Sequence, residues 1–400
     1  MNKYFITLTS ATALLLGACS AETDTAADAN RIAQETIIVD THIDVPYRLE
    51  AKWVNVAEAT EGGDFDYPRA IAGGLNAPFM SIYIPASTPE DGAASALADK
   101  LIDSMEKLAN DNPEKFMIAH SVADVEKAFA EGKIALPMGM ENGSPIENKL
   151  ENLEHFYKRG IRYITLAHSK WNHISDSSYD PDKHWGGLSD FGKTLVTEMN
   201  NIGVMVDVSH ISDDAFWQVM DIVKAPAIAS HSSLRYFTPE FERNMDDAMV
   251  KRLAENGGVI MINYGSSFLT EAANKFRGKA TADFEAYIKE MGFENTAETR
   301  AAFFEKWNIA NPYPFATLDD VLDHIDRVVA LTGSTDYVGI GSDYDGVGDS
   351  LPIGLKDVAS YPSLVEGLLK RGYSEEDVKK ILSGNLLRVW RAVEAYAAAN

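Results

Sequence analysis

The sequence predicts a closed (β/α)8 barrel of the TIM type, and three observations carry that reading. Eight short apolar runs recur, at 36–41, 77–84, 133–140, 161–167, 203–208, 226–230, 257–263 and 337–342. Most are continuously apolar, as expected of parallel strands covered on both faces. Segments of helical periodicity separate them, which is the alternation of an α/β chain. Six of the eight runs also deliver a titratable residue at their C-terminal end, the face on which barrels build their sites. The competing architecture, an open doubly wound sheet, usually carries a Gly-rich phosphate turn after its first strand. The stretch "VDTHIDVP" at 39–46 holds no such turn.

The ends of the chain and its composition set the remaining bounds. An apolar content of 46% over 400 residues excludes a disordered chain. A formal charge of −24 argues against nucleic acid, whose phosphates need a basic face. The opening "MNKYFITLTSATALLLGACS" has Lys3, an apolar run to Leu16 and small residues before Cys19, the form of a signal peptide. Its "LGAC" resembles the lipobox of bacterial lipoproteins, in which the cysteine becomes the lipidated first residue. The expectation is therefore a signal over 1–19, lipidation of Cys19, a flexible acidic tether over 20–33 and a barrel over 34–400. Such a chain sits in the bacterial cell envelope, outside the cytoplasm, and touches the membrane through its lipid alone. No later segment reaches the ~20 apolar residues of a membrane span. Cys19 is the only cysteine, so an internal disulfide is excluded.

Helices are expected between the strands, near 91–109, 147–159, 188–201, 212–223 and 246–256. "SVADVEKAFAEG" places Ser121 and Asp124 in capping positions and closes on Gly132, and 317–333 is bounded in the same way. Residues 264–316 are helical, aromatic and charged, and read as an insert between the seventh and eighth strands, near the barrel mouth.

The residues after the strands point to a metal. The first strand ends in His42 and Asp44, the third in Glu141, the fourth in His168, the fifth in His210, the sixth in His231, and the eighth in Asp343 and Asp345. Four imidazoles and three carboxylates on one rim are expensive to bury without a cation. The other histidines suit bland roles: His155 and His324 in helices, His173 and His184 in a loop, with His120 the main competing candidate. Imidazole with carboxylate and no thiolate suits Zn2+, with Mn2+ or Co2+ also open. Three histidines and two carboxylates exceed one tetrahedral site and suit two ions per chain about 3.5–4 Å apart. The reading puts His42, Asp44 and Glu141 on one ion, and Glu141, His210 and His231 on the other. Asp343 reads as a proton carrier, with a further metal ligand as its alternative, and His168 as an oxyanion donor. Asp345 reads as a turn residue before Gly346.

At this point "VDTHID", "GMENG", "RYITLAHS", "DVSHIS", "IASHSS", "ERNM", "VGIGSDYDGV" and "SGNLLRVW" resemble the membrane (renal-type) dipeptidases of the amidohydrolase superfamily, in order and spacing from about residue 36 onward. The resemblance implies a barrel with two zinc ions that hydrolyses dipeptides, including those with a C-terminal D-residue. It matches His42, Asp44, Glu141, His210 and His231 to the metal ligands. It matches His168, Arg243 and Asp343 to the substrate and catalytic residues. Animal members carry disulfides and a glycolipid anchor, and this chain has neither; a non-covalent homodimer stays open. Asn142 stands where animal members have Gly. Two other readings compete with a metallodipeptidase. One is another metal-dependent amidohydrolase of the lactonase or phosphotriesterase type. The other is a solute-binding lipoprotein without activity.

Overall fold

Ten strands are present: β1 (Val39–Ile43), β2 (Ala77–Tyr83), β3 (Phe116–Ile118), β4 (Ile134–Leu136), β5 (Met138–Glu141), β6 (Ile161–Thr165), β7 (Met205–Asp207), β8 (Ile228–Ser232), β9 (Val259–Ile262) and β10 (Val338–Ile340). They come from a computed structural model that describes residues 25–400. Eight form one parallel sheet in the order β1-β2-β5-β6-β7-β8-β9-β10. The sheet curls until its ends meet. Beyond β10 the chain lies against β1: Asp343 N–H donates to the His42 carbonyl at 3.0 Å, and Asp44 N–H to the Tyr344 carbonyl at 2.9 Å. Ser342 N–H also donates to the buried Asp40 carboxylate at 2.9 Å. The fold is the expected (β/α)8 barrel.

Two strand assignments need correction. The expected third strand, 133–140, is broken at Pro137, which has no N–H for a ladder. Its first half, β4, pairs with β3, a strand the sequence reading missed, in a separate two-stranded sheet. Its second half, β5, enters the barrel. The first strand runs Val39–Ile43 and not 36–41, so His42 lies on β1 and not beyond it.

The expected tether fails over 25–33. Residues Thr25–Glu35 form a helix whose Ala29, Ile32 and Ala33 are buried. That spacing of i, i+3, i+4 is one helix face. Gln34 donates to the carbonyls of Ile71 and Ala72, and Arg31 pairs with Glu375 at 2.8 Å, which fastens the helix to the barrel. The signal and Cys19 lie outside the described residues. Among the described residues, no helix is long and apolar enough to cross a membrane.

Between β9 and β10 the insert is helical, as expected: Ser266–Leu269, Glu271–Met291 and Ala297–Ala310. The two longer helices meet through aromatic rings. Phe276 contacts Trp307, and Phe284 contacts Phe303 and Phe304, with centroids 5.1 to 5.8 Å apart. The insert thus has apolar contacts of its own.

Candidate active site

The polar residues converge on Glu141, the buried last residue of β5. Its Oε1 lies 3.1 Å from His210 Nε2, 3.3 Å from His231 Nε2 and 3.4 Å from His168 Nε2. Its Oε2 lies 3.4 Å from His42 Nε2, which is 3.5 Å from Asp44 Oδ2. Ligand atoms cluster in three groups: His42, Glu141 and His231; Glu141, His168 and His210; and His42, Asp44 and Asp343. All five expected ligands are therefore together, with Glu141 at the centre. His231 clusters with His42, their rings stacked at 3.7 Å. His168, expected only beside the ligands, is as near to Glu141 as they are.

Hydrogen bonds fix the tautomers of two of these rings. The Tyr163 hydroxyl donates its one proton to the Thr41 carbonyl at 3.0 Å. It must then accept from His42 Nδ1, 2.9 Å away. In the same way the Ser230 hydroxyl donates to Asp207 at 2.6 Å and accepts from His231 Nδ1 at 2.7 Å. In the neutral rings, both Nε2 atoms therefore present a bare lone pair towards the Glu141 carboxylate. The Nε2 atoms of His210 and His231 also face each other at 2.8 Å. Lone pairs aimed at a carboxylate repel, unless a cation stands between them. His42 Nε2 and Asp44 Oδ1 are buried without a hydrogen-bond partner among the described residues. The donor set therefore fits divalent cations, with Nδ1 of each orienting ring held from behind, as metal-bound histidines usually are.

The local field agrees. Burial, reinforced by Arg243, holds His210 well below the usual imidazole range. Burial, then His42 and Arg243, do the same to His231. Both are neutral and free to ligate. Burial opposes ionisation of Glu141, but His42 and His168 outweigh it and hold its carboxyl well below the usual range. Burial also opposes a charge on His42; Tyr163, Glu141 and Asp44 overcome it and raise its pKa well above the usual value. A cation answers the same negative field.

Asp343 is different. Burial first, then the charges of Asp44 and Glu141, push it up to about 7, against His42 and the amide of Asn263, which donates to Oδ2 at 2.7 Å. A carboxyl poised near neutrality suits proton transfer. Its backbone, like those of Asn142 and His210, is left-handed, with φ of 65°, 74° and 70°. Strained turns at strand ends are common where side chains must be aimed at a site. The φ of Asn142 also suits an Asn at this position, since Asn tolerates this region better than most residues.

Arg243 is buried and not a surface residue. It donates to Ser232 Oγ and to the His231 carbonyl, both at 2.7 Å, and among the described residues its Nε has no hydrogen-bond partner. The neighbouring Glu242 pairs with Lys183. Asp345 is structural, accepting from Arg48 at 3.1 Å and from Asp64 N–H at 2.7 Å. The remaining histidines stay outside the site. His120 is exposed beside Gly160 at the start of β6. His155 pairs with Asp99, His173 with Glu90, and His184 stacks on Trp171. His324 is buried between Leu234 N–H and the Leu269 carbonyl.

The sequence reading missed Tyr163, Asp40, Asp207, Ser230 and Asn263, which lie on or just beyond strands and hold the front-line residues. Tyr163 and Thr165 sit two apart on β6, and both bond into the barrel interior, Thr165 to Asp207. That period of two was the available signal. The site opens into a cavity of about 850 Å³ lined by Asp44, Glu141, His168, His210 and Asp343, with Tyr83 and Tyr179 on its walls.

A barrel whose strands deliver histidines and carboxylates to one buried cluster at their C-terminal ends is the architecture of a metal-dependent enzyme. The family model of the membrane dipeptidases, peptidase family M19, matches residues 26–400, so the chain belongs to that family and is by class a metallodipeptidase. "Dipeptidase tcpJ" of Claviceps purpurea is 33% identical over 344 residues, 84% of this chain and 71% of the relative. The crystal structure of the probable dipeptidase PvdM from Pseudomonas aeruginosa has a TM-score of 0.79 at 26% identity, covering 93% of this chain and 99% of that one. A metallopeptidase from Rhodobacter sphaeroides, solved with a phosphinate mimic of the dipeptide L-Ala-D-Ala, shares the fold at 24% identity and a TM-score of 0.73, over 90% and 99% of the two chains.

Proposed function

We propose that the protein is a binuclear zinc dipeptidase that hydrolyses free dipeptides, those with a C-terminal D-residue included. The observation that carries this reading is the convergence of bare imidazole nitrogens on Glu141. His42, Asp44 and Glu141 would hold one ion, and Glu141, His210 and His231 the other, with Glu141 shared. Two divalent ions there would supply Lewis acidity and a water acidified towards neutral pH.

The protein's own residues do the rest. Arg243 binds the substrate's C-terminal carboxylate, using its free Nε–H and the remaining guanidinium protons. That places the scissile carbonyl under His168, whose imidazole donates to the oxygen as it gains charge. Water adds to the carbonyl carbon while its proton passes to Asp343. The same proton then goes to the leaving amine nitrogen as the C–N bond breaks. Asn263, bonded to Oδ2, keeps the carboxyl of Asp343 facing the reaction. The resemblance of "LGAC" to a lipobox extends the proposal to a lipid anchor on Cys19 and a place in the cell envelope.

Incubating the purified chain with zinc and a panel of L,L- and L,D-dipeptides tests this reading, alongside metal analysis. Release of both amino acids with two ions per chain is expected. Absence of any amino-acid release across the panel would overturn it.

A further inference from the structure

Arg277 differs from every other arginine in the chain. The others each make a hydrogen bond or ion pair through the guanidinium. Among the described residues the side chain of Arg277 has no such partner, and it is exposed. It stands on the insert helix Glu271–Met291, yet it lines the same cavity as Glu141, His168 and Asp343. Of the acids on its own helix, Glu271 pairs with Lys275 and Asp283 with Lys279, while Glu285 and Glu290 lie more than two turns away along the helix. On the cavity's other linings, Asp345 is matched by Arg48 at 3.1 Å, while Asp44, Glu141 and Asp343 face the metal cluster. One further exposed cation, Lys52, lines the cavity beyond the helix Val45–Ala51.

An unpaired guanidinium at the mouth of a substrate cavity needs a reason in a chain of charge −24. Such a chain repels anions at a distance, and a local cation in a cleft reverses that where the substrate enters. Arg243, deep in the site, already serves the C-terminal carboxylate. We propose that Arg277, helped by Lys52, selects dipeptides that carry a second carboxylate, on the side chain of one of their two residues. This inference rests on the dipeptidase reading and assigns the insert its role in specificity.

The test compares isosteres that differ only in charge. Full-length protein loaded with zinc is assayed at low ionic strength on Ala-Glu against Ala-Gln, on Glu-Ala against Gln-Ala, and on Ala-Ala. The readout is the Glu:Gln ratio of kcat/KM within each protein, which cancels differences in folding and metal loading. For the wild type a ratio of about five is expected in at least one position, the scale of one exposed ion pair. The position that shows it identifies which residue carries the carboxylate. In Arg277→Gln the ratio should fall towards one, and in Arg277→Glu it should drop below one. Added salt should erode the wild-type ratio. A ratio near one in the wild type at both positions, or a ratio that survives in Arg277→Gln, overturns the proposal. Hydrolysis of Ala-Ala separates the two levels. If Ala-Ala is cut without any Glu:Gln preference, charge selection alone is wrong; if no dipeptide is cut in either its L,L or its L,D form, the dipeptidase reading has failed.

Discussion

The hydroxyl of Tyr163 lies 2.9 Å from Nδ1 of His42, with its own proton committed to the Thr41 carbonyl. One phenol therefore decides which nitrogen of His42 is bare. The ring reaches that place because residue 139 is glycine; a Cβ there would lie 2.0 Å from Tyr163 Cζ. Tyr163→Phe keeps the packing and removes the acceptor for Nδ1–H. The metal affinity of the centre should then fall by about 10- to 100-fold, the usual cost of losing such support. Competition with a chelator of known affinity measures it. Unchanged affinity would mean that His42 is not held by Tyr163.

Glu141 and His168 lie 3.4 Å apart but should fail differently. Glu141→Gln removes the central charge, so metal content should fall together with turnover. His168→Ala would remove an oxyanion donor, so metal content should stay while kcat drops by ~10²–10³. Metal analysis of the two purified variants decides. Loss of metal from His168→Ala would move His168 into the ligand set, which its closeness to Glu141 and His210 makes a concrete alternative.

His324 makes stability depend on pH. Burial holds it at about 4, with Nδ1 accepting from Leu234 N–H and Nε2 bonded to the Leu269 carbonyl. Its folded pKa lies below its unfolded value of about 6.5, so the unfolded chain takes up the proton first as pH falls. The contribution is complete above pH ~6.5 and is lost as pH drops from there through about 4. The total is about 3 kcal/mol. His324→Gln cannot titrate. Denaturant midpoints at pH 7.5, 5.5 and 4 should show the wild type losing its advantage over the variant on acidification. Parallel profiles would refute the assignment.

Much of this site was legible because each front-line residue closes an apolar run. His42, Glu141, His168, His210, His231 and Asp343 are polar where a buried strand would otherwise continue. Their supports were not legible, because they lie within the strands or just beyond them and are satisfied by distant elements. Asp40 accepts from Tyr361, 321 residues away, and Tyr163 reaches His42 across 121 residues. Only closure of the barrel creates those pairs. Pro137 could have been read as a strand break, since it lacks the N–H that a ladder needs. The helix Thr25–Glu35 escaped because its buried face is small, two alanines and Ile32, set in an acidic stretch that otherwise reads as a tether.

Cys19→Ala should leave a chain that folds and hydrolyses dipeptides but no longer sediments with membranes. Among the described residues, no helix is long and apolar enough to cross a membrane. Fractionation of cells expressing each form checks this. Continued membrane association of the variant would place the anchor elsewhere.

Arg243 carries the sharpest prediction, because its geometry is half committed. Two of its nitrogens hold Ser232 Oγ and the His231 carbonyl, while its buried Nε has no partner. It is therefore fastened to the end of β8, beside a proposed metal ligand, with donors to spare. In a dipeptide, the C-terminal carboxylate lies one residue beyond the scissile bond. A fixed guanidinium at that distance would act as a ruler, limiting the enzyme to one residue after the cut. Arg243→Lys keeps the charge but loses the planar fork, so it should still be damaging. Arg243→Ala should weaken kcat/KM for free dipeptides by roughly 2–4 kcal/mol, the scale of a desolvated charge pair. It should cost far less on a C-terminally amidated dipeptide, which has no carboxylate to lose. Wild type and Arg243→Ala, each assayed on the acid and the amide, form a double cycle that isolates the contact. Metal content of the variant is measured in parallel, since Arg243 also braces the His231 carbonyl. Equal losses on acid and amide, with metal retained, would show that Arg243 does not read the carboxylate. The ruler would then have to lie in the insert, where Arg277 is the one arginine left free to serve.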